Sequence, residues 1–112
     1  SGNFNQLDGS SGGLGGSPGD VISAGSSASV GNTKHLDISS GVHQLLIYSK
    51  GDIYFNFATS DEDVVANNSL ILLGGILASV AVPLGIADAG DTVRFNFNST
   101  TTATHTVRIV EV

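Results

Sequence analysis

Two stretches of this chain are near copies of one another, and both carry the two-residue period of a β-strand. Gly51-Asp52-Ile53-Tyr54-Phe55-Asn56-Phe57 returns later as Gly90-Asp91-Thr92-Val93-Arg94-Phe95-Asn96-Phe97. In each copy a turn leads into alternating apolar and polar residues, so Ile53, Phe55 and Phe57 share one face and Val93, Phe95 and Phe97 share another. Four of the five phenylalanines are thereby expected in one core. A chain that invests its aromatic residues this way is committed to sheets.

The flanking sequence extends the pattern. Lys34 to Ile38 alternates polar with apolar residues, and Ser39-Ser40-Gly41 turns the chain. Val42 to Lys50 then reads as a strand with apolar residues on both faces. Lys50-Gly51-Asp52 predicts a tight turn, and with it a hairpin between residues 43–49 and 53–59. The stretch 59–68, with Asp61-Glu62-Asp63, predicts a polar loop. Ser69 to Leu73 and Ile76 to Val82 predict two short strands about Gly74-Gly75, or one bulged strand. Residues 92–98 and 105–112 complete the set. About seven strands without an amphipathic helix predict an all-β fold, an antiparallel β-sandwich or flattened barrel.

Nine of the fifteen glycines lie at or before Gly31, which divides the chain into residues 1–32 and a β-sandwich domain over residues 33–112. The first part is rich in Gly and Ser and lacks the apolar density to offset its own ordering entropy. Isolated apolar residues, Phe4, Leu7, Leu14, Val21 and Ile22, punctuate it. Two readings stand open: a disordered tail, or an extended N-terminal arm ordered against a neighbouring subunit with these five residues as anchors.

Charge and composition narrow the function. The net charge is −6, and the four cations, Lys34, Lys50, Arg94 and Arg108, do not cluster. That argues against nucleic acid as a partner, since phosphate binding needs grouped positive charge. Leu70 to Leu84 is the most apolar run, but Gly74-Gly75 and Pro83 interrupt it, so no membrane-spanning helix is expected. No basic segment followed by an apolar one suggests a signal peptide. The chain contains no cysteine, hence no disulfide and no thiol nucleophile.

No catalytic residue, metal site or cofactor is expected. Asp61, Glu62 and Asp63 offer carboxylates to a hard cation, but no glycine and no closing bidentate acid stand where a calcium loop needs them. His35, His43 and His105 are scattered singly through the sequence. There is no Gly-x-Ser-x-Gly elbow, and the glycines at 12–16 lack the lysine of a phosphate loop. Asn67-Asn68-Ser69 and Asn98-Ser99-Thr100 match the weak glycosylation pattern. Tyr48 and Tyr54 are possible sugar-stacking rings. The Asn- and Thr-rich outer faces around Asn56, Asn96, Asn98 and Thr100 to Thr102 suit hydrogen bonding within an assembly.

The C-terminal eighty or so residues resemble small all-β virion proteins of tailed bacteriophages, of the capsid decoration (cement) and head-fibre type. The likeness is carried by Leu46-Ile47-Tyr48 leading to Gly51-Asp52-Ile53-Tyr54-Phe55-Asn56-Phe57, by the bend before Val80-Ala81-Val82-Pro83, and by the ending Thr106-Val107-Arg108-Ile109-Val110-Glu111. The resemblance implies a non-enzymatic protein made in the host cytoplasm and carried on the virion surface. It further implies a homo-oligomer, often a trimer, that clamps the major capsid protein shell while its arm reaches over neighbouring subunits. Two other readings stay open: a carbohydrate- or receptor-binding fibre domain, and a pilus-like surface subunit joined by strand donation.

Overall fold

The computed structural model of the chain describes residues 5–8, 33–64, 69–101 and 106–112. Eight strands follow one another: β1 (Asn5–Asp8), β2 (Lys34–Asp37), β3 (Gln44–Ser49), β4 (Ile53–Ala58), β5 (Leu70–Leu72), β6 (Leu77–Ala81), β7 (Arg94–Ser99) and β8 (Val107–Glu111). A single 3-10 turn, Leu84–Ile86, is the one helical element among the described residues, and no helix there is long and apolar enough to cross a membrane.

The strands form two antiparallel sheets of four, in the orders β1-β8-β3-β6 and β2-β7-β4-β5. The fold is therefore the expected antiparallel sandwich, and its winding can be read from the pairs. First strand joins last, second joins seventh, third joins sixth and fourth joins fifth. This is a ribbon rolled up on itself, the eight-stranded jelly roll.

The two Phe copies are partners in one sheet. In the β4–β7 ladder Phe55 stands opposite Phe97 and Phe57 opposite Phe95. Phe95 lies at the centre, with ring centroids 5.5 Å from Phe55, 5.3 Å from Phe57 and 5.3 Å from Phe97. The facing sheet contributes Leu45, Ile47, Val107 and Ile109, all fully buried. Alternation thus does what period two requires: β3, β4, β7 and β8 each send one row of side chains between the sheets.

The predicted hairpin between residues 43–49 and 53–59 does not form. β3 pairs with β6 and β8, whereas β4 pairs with β5 and β7. Lys50-Gly51-Asp52 is instead an arch from one sheet to the other. Its backbone bonds go sideways: Lys50 N–H donates to the Thr106 carbonyl (3.3 Å), and the Asp52 carbonyl accepts from Thr100 N–H (3.2 Å). The physical reason is the ring cluster. Pairing β4 with β7 stacks four phenylalanines on one inner face, and pairing β4 with β3 would take β4 out of the sheet that gathers them.

A second arch, residues 73–76, carries the chain from β5 to β6 and packs on the first. Gly75 N–H donates to the Ser49 carbonyl (2.7 Å) and Gly74 N–H to Asp52 Oδ1 (2.8 Å). A Cβ at Gly74 would stand 2.5 Å from the Gly51 carbonyl carbon, so only glycine permits this approach. Gly75, at φ +78°, supplies the left-handed residue that the turn needs. The two strands predicted about Gly74-Gly75 are present, but in different sheets.

Four residues of the stretch expected as an arm, residues 1–32, are among those described. Asn5–Asp8 is the edge strand beside β8, with Asn5 opposite Glu111 and Leu7 opposite Ile109. It accounts for eight strands where about seven were expected. The rest of the predicted arm, residues 9–32, lies outside the described residues.

Candidate interaction surface

The polar face of the Phe sheet is the first place where an assembly surface was expected, and the structure puts it under cover. Residues 60–64 fold back across β4 and β7. The Asn96 amide nitrogen donates to Asn56 Oδ1 (3.0 Å) and to the Ser60 carbonyl (3.2 Å). That leaves Asn96 Oδ1 as acceptor, 2.6 Å from His35 Nδ1, so this nitrogen carries the hydrogen. Thr33 Oγ1 accepts from the Asn98 amide (3.2 Å) and from Val64 N–H (3.2 Å). Val64 is fully buried against Tyr54. The outward row Asn56, Asn96 and Asn98 therefore serves the chain's own fold, since buried polar groups require partners. Asn98 is fully buried, which closes this sequon to glycosylation in the folded state.

Asp61 and Glu62 of the acidic trio act as the latch of that cover. Arg94 Nη1 donates to Asp37 Oδ1 at 2.8 Å and to Asp61 Oδ1 at 3.1 Å, while Asn56 donates to Glu62 Oε1 at 3.1 Å. Both carboxylates of the Arg94 pairs are more than half exposed, so each contributes only tenths of a kcal/mol up to about 1. Of the histidines, His35 is in β2 and His43 is exposed before β3, and His105 lies outside the described residues. No cluster of three or more His, Cys, Asp or Glu suited to a metal occurs among the described residues.

At one end of the sandwich, Ile38, Ser39, Ser40, Gly41, Leu84, Asp91, Thr92 and Val93 line a hollow of about 130 Å³, smaller than the several hundred Å³ typical of ligand pockets. Its rim is fastened from beneath by Glu111, which is 2% exposed. Ser39 N–H and Ser39 Oγ each donate to one of its carboxylate oxygens at 2.8 Å, an arrangement that satisfies a buried acid.

The surface that stands out is apolar. Leu70, Ile71, Leu73, Ile76 and Leu77 are 65%, 56%, 60%, 55% and 67% exposed. They lie on β5, on the arch and at the start of β6. β5 is the outer strand of one sheet and β6 of the other, so the ridge runs along one side of the sandwich where both sheets end. Tyr48, 41% exposed and opposite Leu77 in the ladder, extends it onto β3. No charged residue occurs from Val64 to Ala87. Edge strands usually carry a lysine, a proline or a bulge against unwanted pairing, and Leu70–Leu72 and Leu77–Ala81 carry no lysine or proline.

Sequence reasoning found these residues as strands but assigned them no role. Of the predicted anchors, Leu7 lies in β1, and Phe4, Leu14, Val21 and Ile22 fall outside the described residues. The signal that was available is the absence of charge over residues 64–87. Tyr54, weighed as a sugar platform, is buried. No protein-family model matches the chain, and comparison with the curated proteins and with the solved structures finds no match to it.

Proposed function

We propose that this protein is a non-enzymatic structural component of a virion, a capsid decoration protein that binds the major capsid protein shell and stabilises it as a homo-oligomer. The observation that carries the reading is the uncharged apolar ridge on a jelly roll. A patch of five exposed aliphatic side chains on a small acidic domain calls for burial in a complex, and the jelly roll is a scaffold used in viral capsids. The described polar clusters are engaged in holding loops to sheets, which leaves contact rather than chemistry as the occupation of the surface. In this reading residues 9–32 reach over adjacent subunits, with Leu14, Val21 and Ile22 as anchors.

The experiment is depletion and re-addition. Particles lacking the chain should lose integrity at lower temperature or under milder osmotic shock than complete particles, and purified protein should restore the difference. Particles of equal resistance that adsorb poorly to host cells would instead support the receptor- or sugar-binding fibre reading, for which the lectin use of the same scaffold speaks.

A further inference from the structure

We infer that the ridge Leu70, Ile71, Leu73, Ile76 and Leu77 is the contact between copies of this chain, packed ridge to ridge about a symmetry axis. The inference does not depend on the capsid reading, because a fibre domain or surface subunit would use the same contact. Three observations single out a second copy as the occupant.

The first is charge. Every copy carries a net charge of −6, so identical molecules repel over most of their surface. Residues 64–87 are the longest stretch without a charge, and all five ridge side chains fall within it. Copies that meet at the ridge therefore oppose aliphatic side chains, with Asp52, whose Oδ1 accepts from Gly74 N–H at 2.8 Å, at its margin.

The second is self-complementarity. A partner that recognises charge or hydrogen-bonding side chains finds few here, whereas a strip of leucine and isoleucine is its own complement across a symmetry axis. The outer edges of β5 and β6 have no strand partner among the described residues, and an open edge pairs readily with the same edge of another copy.

The third is extent. Five aliphatic side chains exposed by more than half amount to on the order of 500 Å², within the range of the largest patch on ordinary monomers. Tyr48 and the backbone of the two open edges raise this toward the roughly 800 Å² per partner of a stable interface. In a pair the ridges meet across the axis; in a trimer three of them converge on it.

The test uses the full chain and its lack of cysteine. Native mass measurement of the unmodified protein should give two or more times 11.3 kDa. The double variant Leu73→Asp, Leu77→Asp places charge on exposed positions, so its fold should be retained by circular dichroism while association weakens at least about thirtyfold, as for loss of an interface hot spot. In parallel, Ile76→Cys should cross-link copies under oxidation, and Ser40→Cys at the far end of the sandwich should not. A monomer at millimolar concentration would overturn the inference. So would an oligomer that survives the double variant while Ile76→Cys fails to cross-link, since another surface would then hold the copies. Failure of the particle experiment alone leaves this result unchanged, which separates the two readings.

Discussion

Phe95→Ala is expected to cost about 3 to 5 kcal/mol, the range for emptying a fully buried aromatic site. Phe95 has no exposed surface and is the one ring in contact with all three others, at 5.5, 5.3 and 5.3 Å. Aromatic pairs of this geometry add roughly 0.5 to 1.5 kcal/mol beyond area burial, so the value should fall toward the upper end. Neighbouring side chains cannot close the gap cheaply, because Phe95 stands in the ladder between β2 and β4, opposite Leu36 and Phe57. Against a total stability of about 5 to 15 kcal/mol, this change leaves a marginal domain. Denaturant unfolding of the variant and the parent should show the loss as a lower midpoint with an unchanged slope. Phe57→Ala should cost less, since Phe57 is only half-buried. A Phe95 variant that unfolds at the parent's midpoint would mean the rings do not form the core.

Deleting Arg108–Val112 is expected to abolish cooperative folding. β8 lies between β1 and β3, so its loss removes two ladders at once and leaves β3 with one open edge inside the sheet. It also removes Ile109, fully buried against the Phe sheet, and the Glu111 carboxylate that holds the Ser39 turn by two bonds of 2.8 Å. Ser39, itself exposed, would lose both of these bonds, and its turn would no longer be held to the sheet. The truncated chain should show no sigmoidal melting transition and should bind a hydrophobic dye. A sharp transition near the parent's temperature would contradict the place of β8 in the sheet.

The strands were largely legible because alternation declares which face of a strand is buried. Phe55, Phe95 and Phe97 were read correctly from that alone. Alternation does not say which strand lies alongside, and here it misled. Lys50-Gly51-Asp52 has the residues of a hairpin turn, yet the same short connection is an arch when the inner faces of β3 and β4 oppose one another instead of lying side by side. The close approach of Gly74 to Gly51, which stacks the two arches, has no local signature. The covering of Asn96 and Asn98 by residues 60–64 was also hidden, because asparagine on the outward row reads as solvent-facing until a loop supplies its partners. β1 escaped notice for a different reason. Asn5–Asp8 is four residues long and surrounded by Gly-rich sequence, so its strand character comes from pairing with β8 and not from its own composition. The ridge was visible as residues but not as a surface: leucine and isoleucine in a strand are ordinarily inward, and only the edge positions of β5 and β6 turn them outward.

The central claim is that a wound double sheet offers one uncharged apolar side to other molecules. Amide hydrogen exchange over Leu70 to Ala81, compared between the isolated chain at high dilution and the same chain in its native assembly, tests it most directly. The expected result is strong added protection along β5, the arch and β6, with little change at the buried centre of β7. Equal exchange over Leu70 to Ala81 in the two states would contradict it.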